Sequence, residues 1–350
     1  MITLKEILGQ EQGVSQIGRA LAGETLPNAY LFAGPAGVGK KTTAIALAAA
    51  LNCDEEQKKG CGHCSSCHKI ATLQHPDLHV VAPEGKVYKL QQIKDFQRFL
   101  KYAPLEGRRH LVILEEGEQL GHHVSNALLK MMEEPSSPTL FILLATQPEE
   151  LLPTILSRCQ IVHFKPLSEE IIKTILLRNG GEKEQVGIAS KLGLGSVERA
   201  LKYLDPLFLD LRKSLYMALH AIEQHEAWQP LACLTLAEQL EKEKKSELLF
   251  DLFELWYRDL FFLSLKSEQY ELLNFDFQTS LEAISPRYHP KKAAERLLFL
   301  SKMRNYFDKI SLNHRLAWEY LLLQLRPQNT ALEYPLEDPA ALLSPMQNRI

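Results

Sequence analysis

The stretch Ala29-Tyr30-Leu31-Phe32-Ala33-Gly34-Pro35-Ala36-Gly37-Val38-Gly39-Lys40 decides the fold. Its first five residues read as a strand running into a Gly-rich turn, and Thr42 to Leu51 then reads as a helix rich in Ala and Leu. Strand, glycine-rich turn and helix in that order form a phosphate-binding loop. Glycines let successive backbone N–H groups face inward around phosphate oxygens, and the following helix N-terminus adds favourable partial charge. Lys40 is placed to reach the terminal phosphates. Gly34, Gly37, Gly39 and Lys40, with Lys41 and Thr42 after them, are the expected nucleotide contacts.

Working outward, His110-Leu111-Val112-Ile113-Leu114 and Leu140-Phe141-Ile142-Leu143-Leu144 are further buried-strand candidates, continuously apolar as parallel strands tend to be. Short apolar runs alternate with helical patterns over residues 1–165, which predicts a doubly wound α/β domain. Strand signals cease near Lys165-Pro166-Leu167. Ser168 begins a helix, with a glutamate near capping-box spacing around Glu170, and a turn at Asn179-Gly180-Gly181 leads to a second helical stretch. A third follows Gly195, so residues 166–206 form a small helical module. Asp205-Pro206 interrupts the pattern, and residues 207–326 carry long amphipathic helices with Trp256, Phe261 and Phe262 on their apolar faces. The stretch 327–350 has no sustained periodicity and is expected to be a loosely held tail.

The loop departs from the pattern that hydrolysis needs. The residue after Lys40 should bring a hydroxyl to magnesium, yet it is Lys41, and Thr42 comes one position late. One position on a helix turns a side chain by about 100°, so Thr42 does not simply substitute. After the 110–114 strand comes Glu115-Glu116, where Asp-Glu would hold magnesium through water and activate the attacking water. Glu115 is a methylene too long for the first task. Glu116 is the candidate base, although an acidic surface turn explains it equally well. Nucleotide binding survives both departures, while a role for magnesium is doubtful.

Cys53, Cys61, Cys64 and Cys67 crowd together, separated by seven, two and two residues, while Cys159 and Cys233 stand alone. This spacing closes a tetrahedral four-thiolate site, and soft thiolates favour zinc, with iron–sulfur ligation the alternative. His63 and His68 lie in the same segment and offer a substitute ligand, or face solvent. A segment with so little apolar content cannot build its own core, and a structural metal supplies the missing folding energy.

The bulk numbers exclude other classes. Hydrophobic residues make up 45% and charged residues 24%, ordinary globular values. A net charge of −3 is not that of an autonomous nucleic-acid binder, so any DNA contact is local or shared with partners. No run approaches a membrane span and no signal peptide opens the chain, which makes the cytoplasm the default expectation.

Two further motifs carry a resemblance. Asn126-Ala127-Leu128-Leu129-Lys130-Met131-Met132-Glu133-Glu134-Pro135 reads as a helix with a proline stop, and Ser157-Arg158-Cys159 follows downstream. In this order, with the phosphate loop, the cysteine cluster and Gly195-Ser196-Val197-Glu198-Arg199-Ala200, they resemble the clamp-loader branch of AAA+ ATPases over residues 1–205. Leu255-Trp256-Tyr257-Arg258-Asp259-Leu260 resembles a helix of that family's collar domain more loosely. The resemblance implies an AAA+ module carrying a zinc module at 53–67, then a helical lid, then an all-helical collar that joins an oligomer. It also implies that Arg158 reaches across a subunit boundary to ATP held by a neighbour, that Arg199 faces bound nucleotide from the lid, and that Thr146 or Gln147 is the polar nucleotide sensor. Partners implied are gamma/tau-type and delta-type subunits, with the sliding clamp and primed DNA met through the complex and no membrane. Because both magnesium contacts are altered, a scaffold or stator role is expected, against the alternative of an active gamma-type motor.

Overall fold

The computed structural model describes residues 2–23, 26–55, 60–85, 87–224, 230–266, 270–309 and 313–325. The chain divides into two compact units, Met1–Leu204 and Asp205–Ile350. The tail expected at 327–350 lies outside the described residues.

The first unit is built on a parallel sheet of five strands: β1 (Ala29–Ala33), β2 (Leu78–Val81), β3 (His110–Leu114), β4 (Thr139–Ala145) and β5 (Gln160–His163), in the order β2-β3-β4-β1-β5. The three central strands are those expected from their apolar runs, and every residue in them is buried. β2 and β5 went unread in the sequence because they are four-residue edge strands of mixed polarity.

Alternate strand residues face opposite layers, so each central strand needs apolar side chains on both faces. Tyr30, Phe32, Leu111, Ile113, Leu140 and Ile142 pack beneath α2 (Lys40–Asn52), whose Ala-rich face lets the helix lie close to the sheet, together with α1 (Glu11–Ala22) and α3 (Ser65–Ala71). Leu31, Val112, Leu114, Phe141 and Leu143 meet α4 (Leu90–Phe99) and α5 (His122–Glu133) on the other side. A short turn of helix, α6 (Pro153–Leu156), precedes β5.

After β5 come α7 (Glu169–Arg178), α8 (Lys183–Leu192) and α9 (Val197–Lys202), which belong to the same compact unit as the sheet. Ser168 caps α7, its Oγ accepting from the Ile171 backbone 3.4 Å away. Ile171 holds the position a reciprocal glutamate would need, so the expected capping box is a single cap. Ser196 caps α9 in the same way through the Arg199 backbone at 3.2 Å.

Among the described residues the second unit is helical throughout its regular structure, with α10 (Pro206–Gln224), α11 (Pro230–Glu243), α12 (Ser246–Ser264), α13 (Gln278–Ile284), α14 (Pro290–Lys309) and α15 (His314–Gln324). α12 lies at its centre against α13 and α14, and α11 packs on α15. Trp256 and Trp318 are fully buried there, so Trp256 is core. A polar knot fixes the chain between α12 and α13. Asp259 accepts from the backbone N–H groups of Leu273 and Asn274, Asn274 Oδ1 accepts from Arg212 at 2.9 Å, and Arg212 forks onto Asp276 at 2.6 and 2.7 Å. Its internal pairing lets a carboxylate and a guanidinium sit among apolar helices.

Three histidines gather at the β2 edge of the first unit. Asp77, fully buried, accepts from the N–H groups of Leu105, Glu106 and Gly107 at 2.7–2.9 Å, and His75 and His110 stand beside it at 3.9 and 3.5 Å. His79 stacks on Phe99. Burial holds His75 and His79 below the ordinary value of 6.5, against the opposing pull of Asp77. Above 6.5 both states leave these rings neutral and the full stability is present; below it the unfolded chain takes up protons that the folded one refuses. Urea denaturation of the first unit is therefore expected to shift to lower urea between pH about 7.5 and about 5.5, and His79→Phe to flatten that dependence.

Candidate functional site

The carboxyl ends of β1, β3 and β4 open onto one cleft of about 1030 Å³, the place where parallel α/β sheets take ligands. β1 runs into the glycine-rich loop expected to bind phosphate, with Gly34, Gly37 and Gly39 at φ +152°, +71° and +98°. Gly37 has a second reason to lack a side chain: a Cβ there would collide with Ser196 and Glu198 at the start of α9. The Val197 N–H donates to the Gly37 carbonyl at 2.9 Å, so the helical module is fastened to the loop. Gln10, buried, adds a second tie, donating to the carbonyls of Val38 and Lys165 at 3.2 and 2.8 Å.

Lys40 is buried at the head of α2, its ammonium folded back onto the carbonyls of Gly34 and Pro35. Burial lowers its pKa, and the charges of Glu118 and Glu198 oppose that shift. Lys41 and Thr42 also line the cleft. The two departures from the hydrolytic pattern meet: Lys41 Nζ lies 2.6 Å from Glu115 Oε1. Glu116, beside it, faces the cleft from a left-handed backbone at φ +48°, a conformation that costs a non-glycine residue about 1–3 kcal/mol.

Thr146, at the end of β4, lines the cleft, and its hydroxyl and backbone N–H both reach the Glu118 carboxylate. Gln147 does not line it. Arg199 is also absent from the lining, since its Nε donates to the Tyr203 hydroxyl at 2.8 Å; the arginine that does face the cleft is Arg178 at the end of α7. Glu118, Arg178 and Tyr88 escaped the sequence reading. The Tyr88 hydroxyl donates to the carbonyls of Val81 and Glu115, holding the ends of β2 and β3 together. No local motif marks these three, because each matters only through partners far away in sequence.

Magnesium does not fit this donor set. The hydroxyl position holds an ammonium, and the carboxylate that would hold the ion's water is paired to that ammonium. A divalent cation would sit beside a fixed positive charge with its acidic partner already engaged.

Zinc does fit the cysteine cluster. The sulfurs of Cys53, Cys61, Cys64 and Cys67 all lie within 4.8 Å of one another, and the cysteines are free. Backbone N–H groups point at the sulfurs, Cys61 to Cys53 at 3.4 Å, Cys64 to Cys61 at 3.3 Å and Cys67 to Cys64 at 3.4 Å, as thiolate ligands require. Burial pushes the Cys53 thiol up, but donation from the backbone of Cys61, Gly60 and Glu55 outweighs it and brings the thiol down to about 7. His63 turns to Glu55 at 2.8 Å, and His68 stands outside the sulfur group. Burial pushes the Cys159 thiol up to about 12, away from the thiolate form.

Arg158 follows α6 and does not line the cleft. It lies on the surface, its guanidinium on Glu133 at the end of α5 and on the Thr154 carbonyl at 3.0 Å. Glu133 comes from the 126–135 motif, so the two segments that carry the resemblance touch through this pair.

Comparison with known proteins gives two family matches, "DNA polymerase III, delta subunit" over residues 9–168 and "DNA polymerase III, delta subunit, C terminal" over residues 206–326. DNA polymerase III subunit delta' of Bacillus subtilis is 27% identical over 312 residues, 87% of this chain and 92% of that protein. The delta' subunit of Pseudomonas aeruginosa is 42% identical over 135 residues, 38% of this chain and 41% of that one. Subunit tau of Escherichia coli is 36% identical over 172 residues, 49% of this chain but 27% of tau. A solved gamma subunit-related protein of Thermotoga maritima aligns over 88% of this chain and 98% of its own at 18% identity and a TM-score of 0.46.

Proposed function

The chain belongs to the DNA polymerase III delta-subunit family and is a clamp-loader subunit of the delta', gamma and tau type; from that premise we propose that it is the stator of the loader, a subunit that turns over no ATP itself and presents Arg158 to a neighbour that does. The observation that supports this reading is the Lys41–Glu115 pair: an ammonium stands in the hydroxyl's place and engages the carboxylate that would hold the ion's water. A motor of the gamma type needs both.

On this reading Arg158 is a trans-acting finger. A guanidinium suits the task because it stays charged and offers a planar fork of donors to phosphate oxygens. Its exposure and its distance from the chain's own cleft support service to another subunit's site, and Glu133 holds it in place until that site arrives. Residues 166–206 act as a lid, 207–326 as the collar that joins gamma/tau-type and delta-type partners, and the clamp and primed DNA are met through the complex. Zinc held by Cys53, Cys61, Cys64 and Cys67 is structural: four thiolates leave no open position for catalysis. Among the described residues no helix is long and apolar enough to cross a membrane.

The test is steady-state ATP turnover. The chain alone is expected to show none above background, and adding it to the remaining loader subunits with clamp and primed DNA is expected to raise their turnover severalfold. Robust turnover by the isolated chain would move the assignment to the motor.

A further inference from the structure

We infer that the cleft is a magnesium-independent site for a nucleoside diphosphate, with Lys41 standing where the metal would be and the carboxylates after β3 excluding a third phosphate. The inference rests on the stator reading only in taking the cleft as non-hydrolytic.

The loop keeps what a diphosphate needs. Its backbone turns at Gly37 and Gly39 into the head of α2, and Lys40 lies close by, held by the carbonyls of Gly34 and Pro35. An ammonium exchanges neutral carbonyls for anionic phosphate oxygens with a gain, since charge-assisted hydrogen bonds are about twice as strong as neutral ones. Ile7, Leu8, Ile175 and Leu201 line the cleft as well, an apolar wall suited to the face of a base.

Beyond the second phosphate the cleft turns hostile. A third would meet the ends of β3 and β4, where Glu115, Glu116 and Glu118 converge and Thr146 is already bound to Glu118. In a magnesium-dependent site the divalent ion and one aspartate leave a net local charge of about +1 to meet the phosphates. Here Lys41 and Glu115 cancel. Three cations, Lys40, Lys41 and Arg178, face five carboxylates around the cleft, so once two phosphates engage Lys40 and the loop's N–H groups, a third meets a surplus of its own sign. Arg178 adds a cation on α7, one turn after Ile175, and acts on the Glu6 carboxyl across the cleft's lining.

Equilibrium titration of the full, zinc-loaded chain with ADP and with ATP tests this, each with magnesium omitted and with magnesium added. No chelator is used, so that the structural metal stays in place. ADP is expected to saturate without magnesium, ATP to bind about tenfold more weakly, and magnesium to leave ADP binding unchanged. A requirement for magnesium, tighter binding of ATP than of ADP, or no binding of either would each overturn the inference. Lys40→Met is expected to abolish ADP binding with zinc content intact, and binding that survives it places the ligand elsewhere and overturns the site. Restoring the usual pair with Lys41→Thr and Glu115→Asp together is expected to make ATP binding strengthen on adding magnesium; continued indifference to the metal overturns the role given to Lys41. Failure in these titrations leaves Arg158 untouched, because its role is read only in the assembled complex.

Discussion

Arg158→Ala is expected to cut ATP hydrolysis at the neighbouring site of the assembled loader by on the order of 10³ to 10⁵, the range over which arginine fingers act, and so to take back the severalfold gain in the loader's total turnover that this chain brings. The effect is large because the fork of donors acts in the transition state, where charge spreads over the transferring phosphoryl group. Its Nε and a terminal nitrogen both reach Glu133, while the other terminal nitrogen reaches Thr154 and Ser157. Arg158→Lys keeps the charge but loses the planar fork, so most of the loss should remain. Glu133→Gln leaves the guanidinium in place with a weaker hold, and is expected to preserve turnover within a fewfold. The measurement is turnover by the reconstituted complex with clamp and primed DNA, with zinc content and thermal unfolding of each variant as controls for folding. If Arg158→Ala complexes turn over at the unsubstituted rate, Arg158 is no finger and Glu133–Arg158 is an ordinary surface pair.

Cys67→Ser is the second substitution expected to act strongly. Cys67 is fully buried, its sulfur faces the other three, and its backbone N–H caps onto Cys64 at 3.4 Å. Losing one of four thiolates should release the metal, and structural zinc contributes on the order of 10–16 kcal/mol of apparent binding energy in small zinc-dependent folds. The damage reaches beyond the cysteines. Cys53, Cys67 and Ile70 pack in the same core as Leu47 and Ala48 of α2, and Ser66 donates to the Asn52 carbonyl at the end of that helix. α2 carries the phosphate loop at its other end, so loss of zinc should loosen the loop as well as the module. Zinc stoichiometry is expected to be one per chain for the natural sequence and near zero for Cys67→Ser, with the first unit unfolding at a markedly lower temperature. A chain purified with no zinc, or Cys67→Ser that retains it, would set this aside.

The parts legible in the sequence are those whose pattern is local. The phosphate loop is a run of adjacent residues. The three central strands announce themselves because burial on both faces demands unbroken apolar side chains, and the four cysteines because short spacings bring their sulfurs together. β2 and β5 were hidden for the opposite reason, since a short edge strand has one side to satisfy and tolerates polar residues. Ser168 shows the limit at single-residue scale: its identity predicts a cap, yet the reciprocal partner is Ile171 rather than a glutamate.

Sequence alone thus determined the fold class, the glycine-rich loop, the cluster of four cysteines and the two departures from the hydrolytic pattern. Only the tertiary structure decided that Lys41 and Glu115 pair, that Glu118 engages Thr146, and that Arg178 rather than Arg199 lines the cleft. Such pairings arise because parallel strands bring their carboxyl ends together from distant parts of the chain, and an ion pair depends on that distance in space, which no local pattern of residues encodes.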